Sequence, residues 1–248
     1  MIRNVTKKCL RKLLMPFFRY GNFAERIARE AMLTPLALHR IAARGLSVES
    51  VLDVGASNGC WSLEAKKIWP KARYHLIEAN SYHENELEQT MCRHSNFSYV
   101  LAAAGDSAGG TIHFDISDPF GGIASHNSHN GSNWIEVPIT TIDIEVRKKQ
   151  LPKPYLIKLD THGFEVPIIN GAKETLIDTN LLVIEAYNFD IAPECLKFYE
   201  MCSFMDRLGF RVIDISEPLW RIKDKAFWQM DMFFVQKNRL EFSYAHYR

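Results

Sequence analysis

A short run of small and acidic residues contains the side chains best suited to ligand binding. Residues 51–59 read Val-Leu-Asp-Val-Gly-Ala-Ser-Asn-Gly, so an apolar stretch containing Asp53 runs into two glycines. Gly55 and Gly59 permit backbone conformations that other residues avoid, and they let a ligand approach the main chain closely. Glu78 ends the next apolar segment, where its carboxylate can accept hydrogen bonds from a ribose diol. The pattern therefore predicts a pocket for a ligand that contains a nucleoside.

A buried strand, a tight turn and a helix must position these residues. Residues 51–54 are apolar around a single acid and include β-branched side chains, which is typical of a buried parallel strand. Apolar residues at helical spacing predict a helix over residues 59–69, and Pro70 ends it. Residues 74–77 predict a second strand, so Glu78 lies at its carboxyl end.

Two kinds of cofactor, a dinucleotide and S-adenosylmethionine, bind to loops of this type. A dinucleotide loop uses Gly-x-Gly-x-x-Gly, because a pyrophosphate rests on the N-terminus of the following helix. Ser57 and Cys60 stand at the second and third glycine positions here, and Asp53 suits a cationic ligand better than a pyrophosphate. The pattern Asp-x-Gly-x-x-x-Gly with a distal acid favours S-adenosylmethionine. A plain strand–turn–helix unit without a ligand is the alternative.

Further polar groups lie where later strands end. The alternation of strands and helices is interrupted only by an insertion over residues 107–140, whose two strands enclose a polar loop able to cover a site. Small residues around Ala103 offer a surface for a flat adenine. The fourth and fifth core strands end on Asp160 and Glu185, and His162 follows closely after the fourth. Because ligands bind at the carboxyl ends of strands in open α/β sheets, these three groups are predicted to share one site.

Length and composition fit one α/β domain with a modest appendage. The chain has 248 residues, of which 47% are apolar and 24% charged. No apolar run is long enough to span a membrane, and the basic N-terminus lacks the pattern of a signal peptide. Five cysteines without a Cys-x-x-Cys pair favour reduced thiols and argue against a structural zinc site. We therefore expect a cytoplasmic protein.

Charge separates an N-terminal extension from the rest of the chain. Residues 1–45 contain ten Lys/Arg and two Asp/Glu, a net charge of +8, so the remainder carries about −7. We assign residues 1–46 to a basic helical extension and residues 47–248 to the main domain. The apolar stripe within residues 1–20 favours packing on the domain, and peripheral contact with an anionic membrane is the alternative.

The second half of the chain resembles FkbM-type methyltransferases. Residues 157–165, Ile-Lys-Leu-Asp-Thr-His-Gly-Phe-Glu, match the family's Ile-Lys-x-Asp-x-x-Gly-x-Glu segment, and a Gly-Ala pair follows at residues 171–172. The likeness runs from about Val51 to Val235. It implies a class I methyltransferase fold, which is an α/β, Rossmann-like, seven-stranded and mostly parallel sheet with helices on both faces. It also implies S-adenosylmethionine-dependent O-methylation of hydroxyls, often on sugars or polyketides.

The resemblance also assigns roles to individual residues. By position it implies a cofactor site made of the glycine loop and the strand ends, namely Asp53, Gly55, Ala56, Ser57, Asn58, Gly59, Glu78, Ala103 and Asp160. The signature residues are Lys158, Asp160, Gly163 and Glu165. This chain has His162 where the family usually has Glu, which leaves the role of that position open.

Methylation of an aliphatic hydroxyl gains from a base, because such a hydroxyl is a poor nucleophile. His162 suits proton transfer near neutral pH, and the other catalytic candidates are Asp160, Lys158 and Glu185. Each has a structural alternative. Asp160 can cap a helix, Lys158 can pair with a buried carboxylate, His162 can be an exposed loop residue and Glu185 can be a buried structural acid.

Three histidines within and near the polar loop, His113, His126 and His129, raise the question of a metal. Their spacing lacks a carboxylate that would complete a ligand set, so we predict no metal site.

Other functions remain as alternatives. The basic extension favours a nucleic-acid methyltransferase, but residues 160–163 lack the Pro-Pro-aromatic sequence that holds a planar amine. A nicotinamide oxidoreductase is disfavoured by the altered glycine loop, and a non-catalytic binding protein is disfavoured because the loop and the acids at the strand ends are intact. We expect the acceptor to be a small molecule or a glycan, and we expect no nucleic-acid partner. Under the alternative in which the extension contacts a membrane, the acceptor is linked to a lipid.

Overall fold

The computed structural model describes Glu30, residues 32–127 and residues 131–246. The apolar stripe of residues 1–20 and His129 lie outside the described residues. The helices are α1 (Thr34–Ala43), α2 (Cys60–Lys66), α3 (Glu84–Arg93), α4 (Ile142–Lys149), α5 (Glu165–Asn170), α6 (Lys173–Ile177) and α7 (Phe198–Arg207). The strands are β1 (Ser50–Val54), β2 (Arg73–Glu78), β3 (Phe97–Leu101), β4 (Ala103–Ala104), β5 (Thr111–Asp115), β6 (Ala124–Ser125), β7 (Trp134–Thr140), β8 (Tyr155–Leu159), β9 (Thr179–Tyr187), β10 (Phe210–Trp220) and β11 (Phe227–Gln236).

Seven strands form the central sheet in the order β10-β11-β9-β8-β1-β2-β3. The strands β3, β2, β1, β8 and β9 are parallel neighbours, and β11 is antiparallel to both β9 and β10. The predicted α/β fold is confirmed, and the reversed β11 makes the sheet mixed. The carboxyl ends of β1, β2, β8 and β9 therefore lie along one edge.

Both faces of the sheet are covered, which explains the nearly continuous apolar pattern of its central strands. Side chains alternate between faces along a strand. Leu52 thus joins one core with Phe164 and Ile168, whereas Val51 joins the other core with Leu38 of α1. Within the described residues, no helix has the length and apolar character needed to cross a membrane.

Helix α1, at the C-terminal end of the assigned extension, is fastened to β10. Leu38 and Ile41 are buried in the core. Arg40 donates two hydrogen bonds of 2.9 Å to the carboxylate of Asp214, and Arg44 donates a third of 3.2 Å. A forked guanidinium–carboxylate contact fixes geometry as well as charge, so α1 is an integral part of the described fold.

The insertion and the short strand β4 that precedes it form a second sheet of four strands, in the order β4-β7-β5-β6. Its antiparallel strands β5 and β7 pair from Thr111–Pro138 to Asp115–Trp134, where the sequence predicted two inserted strands. The chain between β5 and β6 lies over the carboxyl edge of the central sheet, because Pro119, Phe120 and Gly122 line the cleft at that edge, together with Phe114 of β5.

The buried carboxylate of Glu145 on α4 makes the fold sensitive to acid. Glu145 is 1% exposed and accepts hydrogen bonds from Thr140 (2.7 Å) and Lys148 (3.0 Å), with His75 Nε2 at 3.1 Å. Burial disfavours the charged form, but these hydrogen bonds hold the pKa of Glu145 at about 2, below the ordinary 4.5. The ionised group therefore stabilises the fold above pH 4.5, and this stabilisation is lost as the pH falls towards about 2.

We expect Glu145→Gln to lower the free energy of unfolding by about 3 kcal/mol at neutral pH, since each unit of pKa difference corresponds to about 1.4 kcal/mol. The difference in the free energy of unfolding between the two proteins should shrink as the pH falls, because protonation removes from the wild type the Glu145 charge that the variant lacks. Urea unfolding measured across this pH range checks both statements. A deficit that does not change with pH would show that the carboxylate charge contributes nothing.

Candidate active site

A cleft opens at the carboxyl ends of β1, β2 and β8. Its empty space, with the open solvent at its mouth included, is about 540 Å³. The ends of the central strands contribute Gly55, Ser57, Glu78, Asp160 and His162, and β4 contributes Ala103. The insertion contributes the opposite wall, so the predicted covering loop does lie over this site.

The turn after β1 requires glycine at its first position. Gly55 has φ 71°, and a Cβ atom there would lie 2.1 Å from the backbone oxygen of Asp160. The Gly55 N–H also donates to the carbonyl of Ile77 on β2, at 3.0 Å. The turn is therefore held between β2 and the end of β8, which brings the glycine loop against Asp160.

Gly55→Ala should lower the free energy of unfolding by about 3 kcal/mol or more, because it adds a steric clash to an unfavourable backbone conformation. Gly45→Ala is the matched control, since Gly45 has φ 75° and an added Cβ there would have no atom of the described residues within 4 Å. That control isolates the conformational cost, about 1 kcal/mol. Thermal and urea unfolding measure both variants, and equal losses would mean that the contact with Asp160 relaxes freely.

Glu78 joins the end of β2 to the glycine loop. Its Oε2 accepts the backbone N–H of Ser57 at 2.6 Å, and its Oε1 accepts that of Asn80 at 2.7 Å. The side chain is only 5% exposed but lines the cleft. Burial raises the pKa of Glu78, against the effect of these hydrogen bonds. Each carboxylate oxygen can accept a second hydrogen bond, so the fixed group is suited to a ribose diol.

The predicted cofactor residues fall into two groups. Gly55, Ser57, Glu78, Ala103 and Asp160 line the cleft, whereas the lining does not include Asp53, Ala56, Asn58 or Gly59. The Asn58 side chain instead accepts the N–H of Cys60 at 3.2 Å at the start of α2. Whether each residue contacts the cofactor stays a prediction.

Asp53 lies behind the cleft, fully buried within β1. Its Oδ2 accepts the hydroxyl of Ser62 at 2.7 Å, and Oδ1 has no hydrogen-bond partner in the described part of the chain. Burial raises the pKa of Asp53, and the charge of Lys158, its register neighbour on β8, lowers it. Asp53 and Lys158 thus form a buried pair of opposite charges under the site.

Lys158 is a fixed cation of the site. It is buried, its Nζ donates to Asp160 Oδ2 at 2.7 Å, and it lies 5.9 Å from the centre of the Trp61 ring. Burial alone would lower the pKa of Lys158, but Asp160 and Asp53 raise it well above the ordinary value. The ammonium therefore stays protonated, and its effect is to hold and orient Asp160.

His162 lies at the centre of the cluster that the strand ends predicted. It adopts φ 54°, a conformation that is strained for a residue other than glycine. Its Nδ1 lies 2.8 Å from the Tyr187 hydroxyl and 3.6 Å from Glu185 Oε2, and its Nε2 lies 3.9 Å from Asp160 Oδ1. The structure therefore brings Asp160, His162 and Glu185 together.

Tyr187 and Gln229 complete this cluster, and the sequence did not predict either. The Tyr187 hydroxyl donates to Glu185 Oε2 at 2.5 Å, and the Gln229 amide donates to Glu185 Oε1. Burial, followed by the charge of Glu185, raises the pKa of Tyr187 well above its ordinary value, so the hydroxyl stays neutral. Because its proton is directed to Glu185, the Tyr187 oxygen is free to accept from Nδ1–H of His162.

One ligand atom from each of Asp160, His162 and Glu185 lies within 4.8 Å of the others, which is the spacing of a loose metal-ligand set. This set differs from the three histidines considered in the sequence. Lys158 already neutralises Asp160, and Tyr187 and Gln229 already satisfy Glu185. Side chains of the protein itself therefore already hold both carboxylates of the set.

Two histidines hold the insertion over the cleft. His83 Nε2 lies 2.7 Å from the carbonyl oxygen of Pro119, and His162 Nε2 lies 3.1 Å from that of Phe120. His83 also lies 3.3 Å from the Ser57 hydroxyl of the glycine loop. The chain between β5 and β6, which we term the cover, is thus held on both the Glu78 side and the Asp160 side of the cleft.

The sheet order, the reversed β11 and the glycine turn after β1 define a methyltransferase-like α/β fold. The profile of one family, the methyltransferase FkbM domain, matches residues 53–212, which is more than half of the chain. This protein belongs to the FkbM methyltransferase family. The match confirms the resemblance carried by the signature segment, and with it the prediction of S-adenosylmethionine as the cofactor.

Solved structures of other methyltransferases resemble this chain at low sequence identity. Methyltransferase FkbM from Methylobacillus flagellatus KT is 17% identical with a TM-score of 0.48, over 75% of this chain and 43% of that chain. The precorrin-6y C5,15-methyltransferase of Geobacter metallireducens GS-15 is 14% identical with a TM-score of 0.44, over 83% and 90%. TrmK of M. capricolum, in complex with S-adenosylhomocysteine, is 9% identical with a TM-score of 0.46, over 83% and 69%. No curated protein sequence matches the chain.

Proposed function

We propose that this methyltransferase transfers a methyl group from S-adenosylmethionine to a hydroxyl of a glycan or another polyhydroxylated metabolite. The observation that carries the proposal is an imidazole at the cleft, placed between Asp160 and the Tyr187–Glu185 pair. A hydroxyl must lose a proton when it is methylated, and a histidine in such surroundings suits that task.

The residues of the chain divide the work between binding and proton transfer. When bound, the cofactor supplies an electrophilic methyl group on a sulfonium. Glu78 would accept hydrogen bonds from the ribose, and the small side chain of Ala103 leaves space for the adenine. His162 Nε2 would take the proton that the acceptor hydroxyl loses on methylation, while the sulfur would leave as the neutral thioether of S-adenosylhomocysteine. The resulting imidazolium would donate from Nδ1 to Tyr187 and be stabilised by the charges of Asp160 and Glu185.

The cover must shift before this transfer, because the Phe120 carbonyl holds the position on Nε2 that an acceptor hydroxyl needs. A carbonyl oxygen can only accept, so Nε2 donates to Phe120 while this contact is in place and cannot accept a proton from an acceptor hydroxyl. Opening of the cover would therefore accompany acceptor binding.

A nucleic-acid acceptor is the second candidate, and the +8 charge of residues 1–45 is the observation in its favour. Calorimetric titration with S-adenosylhomocysteine, NAD and oligonucleotides separates the classes. We expect binding of S-adenosylhomocysteine alone. Transfer of labelled methyl to polyols and glycans, followed by mass spectrometry, then identifies an O-methyl ether. Methylated RNA or DNA instead would overturn the proposal, as would cofactor binding without transfer to any hydroxyl.

A further inference from the structure

The end of β10 and the turn that leads to β11 expose large apolar side chains. Leu219 is 45% exposed, Trp220 56% and Ile222 91%. The connection is nevertheless ordered by its own contacts, since the Arg221 N–H donates to Ala226 and the Arg221 side chain makes hydrogen bonds of 2.6 and 3.1 Å to Asp224. Residues 219–225, which we term the hairpin tip, therefore present an apolar surface on a fixed frame.

The hairpin tip also carries positive charge. Arg221 is neutralised by Asp224, whereas Lys223 and Lys225 are exposed and form no ion pair with any residue that the structure describes. Trp residues favour the interface between lipid and water, and adjacent lysines are attracted to anionic headgroups. This combination fits an anionic bilayer better than a neutral protein surface.

The hairpin tip lies at the same edge of the sheet as the cleft. Tyr187 pairs with Gln229, and the Asn188 N–H donates to the Trp228 carbonyl at 2.8 Å, so the chain beyond these residues extends past the end of β9. Aromatic contacts join the two sites, because the Trp228 ring lies 5.8 Å from that of Tyr187 and 5.2 Å from that of Phe189. A surface that receives the tip would therefore face the cleft edge.

The basic N-terminal segment enters the fold beside this hairpin. The Glu217 N–H, on β10 just before the tip, donates to the Met32 carbonyl at 2.8 Å. Residues 1–29 contain eight Lys/Arg and one Glu. These residues, which precede the described part of the chain, thus carry a net charge of +7.

We propose that the hairpin tip docks on an anionic lipid bilayer, with Trp220 and Ile222 inserted among the headgroups and Lys223 and Lys225 against their phosphates. The contact is independent of the reaction. Docking of the tip would also present the cleft to an acceptor carried by a membrane lipid, and this consequence rests on the proposed function. The occupant is a lipid surface, and self-association through the tip or coverage by the N-terminal segment are the outcomes to distinguish from it.

The test is co-sedimentation of the full chain with vesicles of phosphatidylcholine and phosphatidylglycerol, compared with phosphatidylcholine alone. We expect binding to the anionic vesicles, and a decrease as salt screens the charges. The double variant Trp220→Ser/Ile222→Ser should weaken the partitioning by about tenfold or more, because apolar insertion is lost. Lys223→Gln/Lys225→Gln should weaken it on anionic vesicles and leave the melting temperature unchanged.

Ile177→Ser is the matched control. Ile177 is 75% exposed, but it ends α6 just before β9 begins, at the opposite edge of the sheet. It should bind vesicles like the wild type. The proposal would be overturned if the tip variants bound vesicles as strongly as the wild type, because the N-terminal segment would then account for the binding. It would also be overturned if the wild type bound no vesicles. A wild type that dimerises through Trp220 and Ile222 without binding vesicles would overturn it in favour of a second copy. Titration with S-adenosylhomocysteine reports separately on the proposed function.

Discussion

Replacement of His162 by alanine is expected to lower the turnover of methyl transfer by about 10²-fold or more, the effect of losing a general base. Affinity for S-adenosylhomocysteine should stay nearly unchanged, because the predicted ribose and adenine contacts lie on Glu78 and Ala103. Asp160→Asn should have a similar effect on turnover, since it weakens the charge that stabilises the imidazolium. Radiometric transfer assays and calorimetry measure the two quantities separately.

Two further variants sharpen this prediction. Tyr187→Phe keeps the imidazole but removes the hydroxyl that orients it, so a smaller loss of turnover is expected. His39→Ala removes an exposed histidine of α1 and should change neither quantity. Turnover should also survive EDTA, and its loss would favour a metal bound by the cluster. If both His162→Ala and Asp160→Asn keep full turnover, the base lies elsewhere, with Glu185 the next candidate.

The position of the site at the carboxyl ends of the strands was predictable because it depends on local sequence patterns. A strand that runs into glycines fixes the turn at Gly55, and an acid at the end of an apolar run fixes Glu78. Asp160 and Glu185 follow from the same reasoning, since parallel strands bring their carboxyl ends to one edge. These positions can be predicted from the alternation of side chains along a strand and from the parallel direction of the strands.

The hydrogen-bond partners of His162 could not be predicted in this way. Gln229 reaches Glu185 from β11, whose antiparallel register depends on pairing between residues far apart in sequence. His83 and Phe120 meet only because the insertion folds over the cleft. Tyr187 carried a weak signal, because it lies two residues after Glu185 and thus on the same face of β9.

The glycine-loop motif does not by itself say which face of β1 carries Asp53. In the structure the carboxylate accepts a hydrogen bond from Ser62 on α2 behind the cleft, and its contact with the cofactor stays a prediction. Alternation along β1 places Asp53 on the face of Val51, which packs against the core containing α1. A residue beside a ligand-binding turn can therefore serve the site by balancing the charge of Lys158.

Glu78→Gln should weaken binding of S-adenosylhomocysteine by at least about tenfold, because it removes a charge-assisted contact to the ribose. The amide also fits its surroundings poorly. The carboxylate accepts N–H groups from Ser57 and Asn80 on its two oxygens, whereas an amide has one oxygen and must turn its NH₂ towards one of these donors. The glycine loop would then shift, at the cost of an unsatisfied buried donor.

The pH dependence of affinity distinguishes the charge from a merely structural role of Glu78. Burial raises the pKa of Glu78 above the ordinary value of 4.5, so on acidification its carboxylate is protonated earlier than an exposed one. Wild-type affinity should therefore fall as the pH is lowered, while the weaker affinity of Glu78→Gln should stay flat over the same range. Glu86→Gln, at an exposed acid of α3, is the matched control and should follow the wild type. Wild-type affinity in Glu78→Gln, or parallel pH profiles for the two proteins, would remove Glu78 from the cofactor site.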